Sequence, residues 1–232
     1  MDKKKPKYSE AVEHVRETLN KTRIPKPLAR MIDKLQKYID LPWLLPSLDQ
    51  VDGRHSHAQK RLRLTDMQVL IAIATYLDWA SLRIGVTKKI EMDPVKHRAM
   101  MARYKKLYGD ISESTWYRSI SRLVRAGFLL STPMNVKNSN DQVRGKAAYK
   151  TLTLKFFKEL GLAKGGWLDK ERELSQKRLN RYGLSNRWAE YESELAHAKR
   201  QHHISAERLL VGELDSEPPP TDSPPIESYA LI

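Results

Sequence analysis

The segment that most constrains this chain is TDMQVLIAIATYL, Thr65–Leu77. At helical spacing Met67, Leu70, Ile71, Ala74 and Leu77 form one stripe, and Val69 and Ile73 place apolar groups on a second side. A helix with so little polar surface has to be covered by other elements, so the fold must be built around it. Thr65 and Gln68 fit a capping box, which predicts that this helix begins at Thr65.

The neighbouring sequence offers several covers. Residues 9–20 put Val12, Val15 and Leu19 on one helical face. Pro27 suits the first turn of a second helix carrying Leu28, Met31, Ile32, Leu35 and Ile39. DLPWLLPSLDQVDG follows, broken by prolines, with Trp43, Leu44 and Leu45 expected to dock on a neighbour, and then a basic loop, GRHSHAQKRLRL. Asp93 and Pro94 have the character of N-cap and first-turn residues for a helix running to about Leu107 and ended by Gly109.

Directly after it comes GDISESTWYRSISRLVRAGFLL, Gly109–Leu130. Trp116, Ile120 and Leu123 fall on one helical face, joined by Ile111 from the turn, and that face is expected to pack on the preceding helices. Gly127 permits the left-handed conformation that ends such a helix. FLLSTP and AAYKTLTL then read as two strands, with Leu152 and Leu154 on one face, Thr151 and Thr153 on the other, and MNVKNSNDQVRGK as a long hairpin loop. Helical patterns resume at 155–160, about 169–182 and 186–201, and no internal repeat is visible.

This order predicts a mainly α protein with a small β-hairpin. A winged helix-turn-helix domain is expected over 61–162, between an N-terminal helical region with a basic arm (1–60) and basic C-terminal helices (163–212). The last stretch, 213–232, is acidic and proline-rich and is expected to be disordered.

Charge points to a partner. The tail holds five of the 28 acidic residues and no Lys or Arg, so the remainder sets 42 basic groups against 23 acidic ones. A region that basic suggests an anionic partner, nucleic acid above all. No stretch approaches the ~20 uninterrupted apolar residues of a membrane span. MDKKKPKYSE lacks the apolar run of a signal peptide, and cysteine is absent, which is compatible with a cytoplasmic location.

On the helix over 112–126 the residues left outward are Ser112, Ser114, Thr115, Arg118, Arg122 and Arg125, with Tyr117 at the margin and Glu113 the only acid. Such a face can enter a major groove, hydroxyls contacting phosphate or bases and arginines bonding guanine twice. Lys137, Arg144 and Lys146 of the hairpin can reach the flanking backbone or minor groove.

Other motifs say less. His55 and His57 form an H-x-H pair, but the nicking enzymes that use one resemble each other in a bulky apolar residue between the histidines on a strand; here it is Ser56 in a loop. His202 and His203 sit where they can meet free helix-end carbonyls. No G-x-x-x-x-G-K-[ST] occurs, and RGKAA has only the Gly-Lys pair. Trp188, Tyr191 and Leu195 share a stripe suited to packing or base stacking, while Lys177, Arg178 and Arg181 can add phosphate contacts beside Tyr182. ESYALI resembles the short C-terminal tags read by bacterial unfolding proteases, and KKKPK suits either an import signal or a DNA-touching arm. No metal or cofactor is expected.

The order over about 40–200 resembles the RepA-type replication initiators of FII-type plasmids. The family rhythm sR-x-x-x-x-L-x-x-x-G-L resembles YRSISRLVRAGFL, Arg118 to Leu129, here with Phe128 between Gly127 and Leu129. TLTLKFFKELGL matches the family's threonine-rich closing strand, and QKRLNRYGL its basic helix with a Gly-Leu break. The resemblance implies a non-enzymatic protein that binds its plasmid origin and helps a host initiator or replicative helicase to load, with Arg118 and its hydroxyl neighbours as readers. The acidic tail departs from the family's basic C-terminus, and a second winged helix is not evident in residues 8–50. A winged-helix transcription regulator shares every local feature, and a nicking or priming enzyme is the third reading.

Overall fold

A computed structural model describes residues 8–53, 56–137, 143–189 and 191–193. Its centre is helix α4, Lys60–Ala74, in which Asp66, Met67 and every residue from Val69 to Ala74 are buried. The helix starts five residues before the expected capping box, at N-cap Gln59, and Thr65 sits inside it with its hydroxyl donating to Arg61 O at 3.0 Å. The extra turns are anchored by Arg63, whose guanidinium donates to Ile39 O at 2.9 and 3.0 Å and also to Ala58 O. These tertiary bonds outweigh the local capping signal.

Helix α2 (Lys26–Tyr38) covers one side of α4, and α1 (Glu10–Thr18) packs its stripe on α2 and on the helix that ends at Tyr108. Ser9 caps α1 by accepting from Val12 N, and Pro27 sits in the first turn of α2. The short helix α3 (Pro46–Asp49) follows, with Leu45 and Leu48 fully buried. Trp43, expected to dock beside Leu45, is instead 63% exposed.

After α4 the chain forms strand β1 (Arg83–Val86) and strand β2 (Asp93–Pro94), neither anticipated. Asp93 and Pro94 therefore do not open a helix; they pair with Val86 and Gly85 on the sheet edge, where a proline without an N–H is tolerated. Helix α5 begins only at His97 and runs to Tyr108, and α6 spans Glu113–Arg125. Gly127, with φ +74°, turns the chain into β3 (Leu129–Lys137), which returns as β4 (Val143–Leu152).

The four strands form one antiparallel sheet in the order β2–β1–β4–β3. Most of the expected hairpin loop is strand, paired down to Lys137↔Val143, with a register shift between Thr132 and Met134 where Pro133 cannot donate. The strand also stops earlier than its threonine pattern suggests. Thr153 caps helix α7 (Leu154–Glu159), its hydroxyl accepting from Phe156 N at 3.3 Å, so Leu154 leaves the Leu152 face and is exposed. Helix α8 spans Trp167–Arg181.

One hydrophobic core joins residues from Val12 to Leu168, so the boundary expected near residue 60 is not a packing boundary. The chain is thus mainly helical with a small antiparallel sheet. Residues 189 and 191–193 are helical; most of the expected 186–201 helix, His202, His203 and the acidic tail lie outside the described residues. No helix among the described residues is long and apolar enough to cross a membrane.

Candidate nucleic-acid interface

Helix α6 is held at both ends. Ser112 Oγ accepts from Thr115 N at 3.2 Å and donates to Thr115 Oγ1 at 2.8 Å, which also leaves Thr115 half-buried. These two hydroxyls, expected as readers, are engaged in capping the helix. At the other end Phe128 N donates to Leu123 O at 2.9 Å across the Gly127 turn.

The inner face is as the spacing predicts. Trp116 is fully buried, with its indole N–H donating to His97 Nδ1 at 3.1 Å and its ring edge-on to Tyr104. Ile120 and Leu123 continue the stripe, and Ser119 is buried beside them. Burial, with a smaller contribution from Lys150, lowers the His97 pKa to about 4, so the ring is neutral at neutral pH and can accept the indole proton. The same ring lies 5.2 Å from Tyr117, which projects from the helix at 43% exposure.

Arg122 contradicts its expected role. It is 1% exposed, its Nε donating to Asp66 Oδ2 at 2.9 Å and its Nη2 to Leu48 O at 3.0 Å, while Nη1 pairs with Asp52. It is a structural cation, not a reader. Position 122 lies at the edge of the buried stripe, where α4 and the segment after α3 bring carboxylates against it. The sequence did hold a signal: Asp66 stands inside an otherwise apolar, covered helix, and a buried acid needs a cation. Arg125 is intermediate, half-exposed with Nη2 on Asp52 Oδ1 at 2.8 Å.

The exposed residues of α6 are Glu113, Ser114, Tyr117, Arg118, Ser121, Val124 and Arg125, so an acid and an apolar side chain share the outward face with the candidate readers. Ser121 was missed, although it follows Tyr117 and Arg118 at spacings of four and three. Arg118 makes no ion pair among the described residues and is exposed. The basic hairpin residues are placed by backbone register alone, Lys137 opposite Val143, Arg144 opposite Val136 and Lys146 opposite Met134. Their side chains lie outside the described residues.

Lys150 was also missed. It is 1% exposed on β4, and its ammonium donates to Val95 O at 3.1 Å and Ala148 O at 3.0 Å, with no carboxylate paired to it among the described residues. Burial lowers its pKa to about 8. It ties the sheet to the segment that leads into α5.

The remaining candidates resolve locally. His57 Nδ1 is 2.5 Å from Asp49 Oδ2, and the other Asp49 oxygen accepts from Ala58 N at 3.0 Å, so this histidine fastens the loop before α4. Its companion His55 lies outside the described residues. No group of three or more His, Cys, Asp or Glu suited to a metal ion occurs among the described residues. Trp188 is buried against Tyr149, with ring centroids 4.7 Å apart, and Arg83 lies over it at 4.8 Å, so it packs and is not open to a base. Lys177 pairs with Glu173 at 2.7 Å, whereas Tyr182 is well exposed. Leu195 lies outside the described residues, and Tyr191 is half-buried.

No protein-family model, curated protein or solved structure matches this chain.

Proposed function

We propose that this chain is a winged-helix, sequence-specific DNA-binding protein that initiates plasmid replication. It engages the origin through the outer face of α6 and the β3–β4 hairpin and recruits a host initiator or the replicative helicase without itself cutting DNA. The observation that carries the DNA-binding part is the outer face of α6. There Ser114, Tyr117, Arg118 and Ser121 are exposed on a rigidly capped helix whose opposite face is locked into the core.

The element order supports the reading. Central helix α4 is followed by the short strands β1 and β2, helices α5 and α6 and a hairpin whose return strand pairs with β1, an order that a winged helix-turn-helix with one added edge strand would have. A helix N-terminus favours an approaching phosphate, although the Ser112 and Thr115 hydroxyls at this one are engaged in the cap. The charge of 42 basic against 23 acidic residues outside the tail supplies the sequence-independent attraction. The initiator role rests on the resemblance of residues 40–200 to RepA-type proteins.

On this reading the readers are Ser114, Tyr117, Arg118 and Ser121, with Arg125 and the hairpin's Lys137, Arg144 and Lys146 meeting phosphate. Footprinting the protein on fragments of the replicon that encodes it, at two salt concentrations, tests the function. Protection of an origin-like repeat or A·T-rich region is expected. Protection confined to a promoter would make the protein a transcription regulator instead, and salt-sensitive binding everywhere would remove α6 as a reader.

A further inference from the structure

A cleft of about 410 Å³ opens where the segment after α4, strand β1, α5 and α8 converge. That is the size of a small-molecule site rather than of a single ion. Lys21, Arg103 and Arg178 line it, and none of the three has an ion pair among the described residues. They come from distant parts of the sequence, so only the fold gathers them. Like charges around one hollow repel each other unless an anion lies between them. The one acid in the lining, Asp78, is already engaged. Its Oδ2 accepts from Ser81 N at 2.9 Å, Ser81 Oγ at 2.5 Å and Asn186 Nδ2 at 2.9 Å.

Two donors stand ready in the cleft. The Arg103 guanidinium lies over the Tyr76 ring at 4.9 Å, and its Nη2 donates to Tyr76 Oη at 3.3 Å. These contacts fix the plane of the guanidinium and leave Nε and Nη1 without a partner among the described residues. Ser175, on α8, is only 8% exposed, yet its hydroxyl makes no hydrogen bond among the described residues. A buried serine ordinarily satisfies its hydroxyl, often on a carbonyl one turn back in its own helix. Thr75 at the same cleft does so, donating to Ala72 O at 2.8 Å. The rest of the wall is apolar: Leu77, Trp79 and Leu179 are 8%, 6% and 8% exposed.

We propose that this cleft binds a small organic phosphate. The phosphate lies among Lys21, Arg103 and Arg178 and accepts from the Arg103 guanidinium and the Ser175 hydroxyl, while the organic part rests on Trp79 and Leu179. Three unpaired cations exceed the single charge of a carboxylate and suit a phosphomonoester, which carries about two negative charges at neutral pH. None of the lining residues belongs to α6 or to the β3–β4 hairpin, so the site does not rest on the proposed DNA-binding function.

The test is calorimetric titration of the full chain with phenyl phosphate and with inorganic phosphate. One saturable site per chain is expected, with phenyl phosphate the tighter ligand because its ring meets the apolar wall. Arg103→Gln and Arg178→Ala should each weaken phenyl phosphate about tenfold or more, as loss of a charge-assisted bond does. Ser175→Ala should weaken it about threefold while leaving the melting temperature unchanged, since that hydroxyl bonds nothing in the fold. Lys170→Ala, which removes an exposed lysine of α8 outside the cleft, should change nothing. Absence of saturable binding, equal affinity for the two ligands, a Ser175→Ala protein that binds like wild type, or an equal loss in Lys170→Ala overturns the proposal. Displacement of phenyl phosphate by duplex DNA, one for one, would assign the cleft to backbone phosphate and also overturn it; simultaneous binding of both supports it.

Discussion

Arg118 and Arg122 stand one turn apart on α6, carry the same group and are read from sequence as equivalent. Yet Arg118 is exposed without an ion pair among the described residues, and Arg122 is 1% exposed between Asp66, Asp52 and Leu48 O. The difference is only about 40° around the helix axis, four residues at 100° each less a full turn, which at the edge of a stripe decides between water and core. A guanidinium on the wet side is free to meet phosphate or guanine. On the dry side it is committed to neutralising a carboxylate the core would otherwise reject. Neighbouring positions on one helix thus separate the proposed contact with DNA from stability.

The largest expected effect breaks the dry side. Arg122→Ala strands Asp66 and should lower stability by ~3–5 kcal/mol in chemical denaturation. The double variant Arg122→Ala/Asp66→Ala should lose less than the sum of the single losses, because the two groups answer each other. Additive losses would mean that the pair is not a unit.

Lys150 sharpens the contrast, being buried like Arg122 but bonded only to carbonyls. Its pKa falls from 10.5 to about 8 in the folded chain, so between those values the unfolded state holds a proton that the folded state lacks. Stability must then rise with pH over that window, by up to about 3 kcal/mol, and be lowest below pH 8. Tyr38 and Tyr108, whose pKa values burial raises, oppose the rise above pH 10. Melting followed from pH 7 to 10 should show the climb in wild type and a flatter profile in Lys150→Met. An unchanged slope would remove Lys150 as its source.

Arg125 stands between the two cases, half-exposed on Asp52. Arg125→Ala should cost no more than ~1 kcal/mol of stability, as exposed pairs do, and should reduce the salt dependence of DNA binding by ~1 in slope. The smallest effect belongs to the wet side: Arg118→Ala should leave stability within ~0.5 kcal/mol of wild type.

Periodicity made much of this legible. The stripes of α1, α2, α4 and α6 and the left-handed Gly127 follow from residue spacing, because a buried face imposes its period on the chain. What escaped depended on partners distant in sequence. β1 and β2 are too short to show alternation, and only the pairing of Gly85 and Val86 with Pro94 and Asp93 makes them strands. Thr65 lost its capping role to Arg63, which reaches back to Ile39 O. Arg122 lost its reader role to carboxylates on α4 and after α3. On α6 the exposure of Arg118 and Tyr117 was legible from one helix alone, while uncharged Ser121 gave no such signal, and burial of Lys150 runs against the rule that lysines face water.

The most direct measurement compares the affinity of wild type and Arg118→Ala for a duplex selected by the protein from a random-sequence library and for a scrambled duplex of equal length, at two salt concentrations. A loss of ~1–3 kcal/mol confined to the selected duplex, with the salt slope retained, is the result predicted for a base-reading arginine on the outer face of α6. Equal losses on both duplexes, or no loss on either, would contradict that claim.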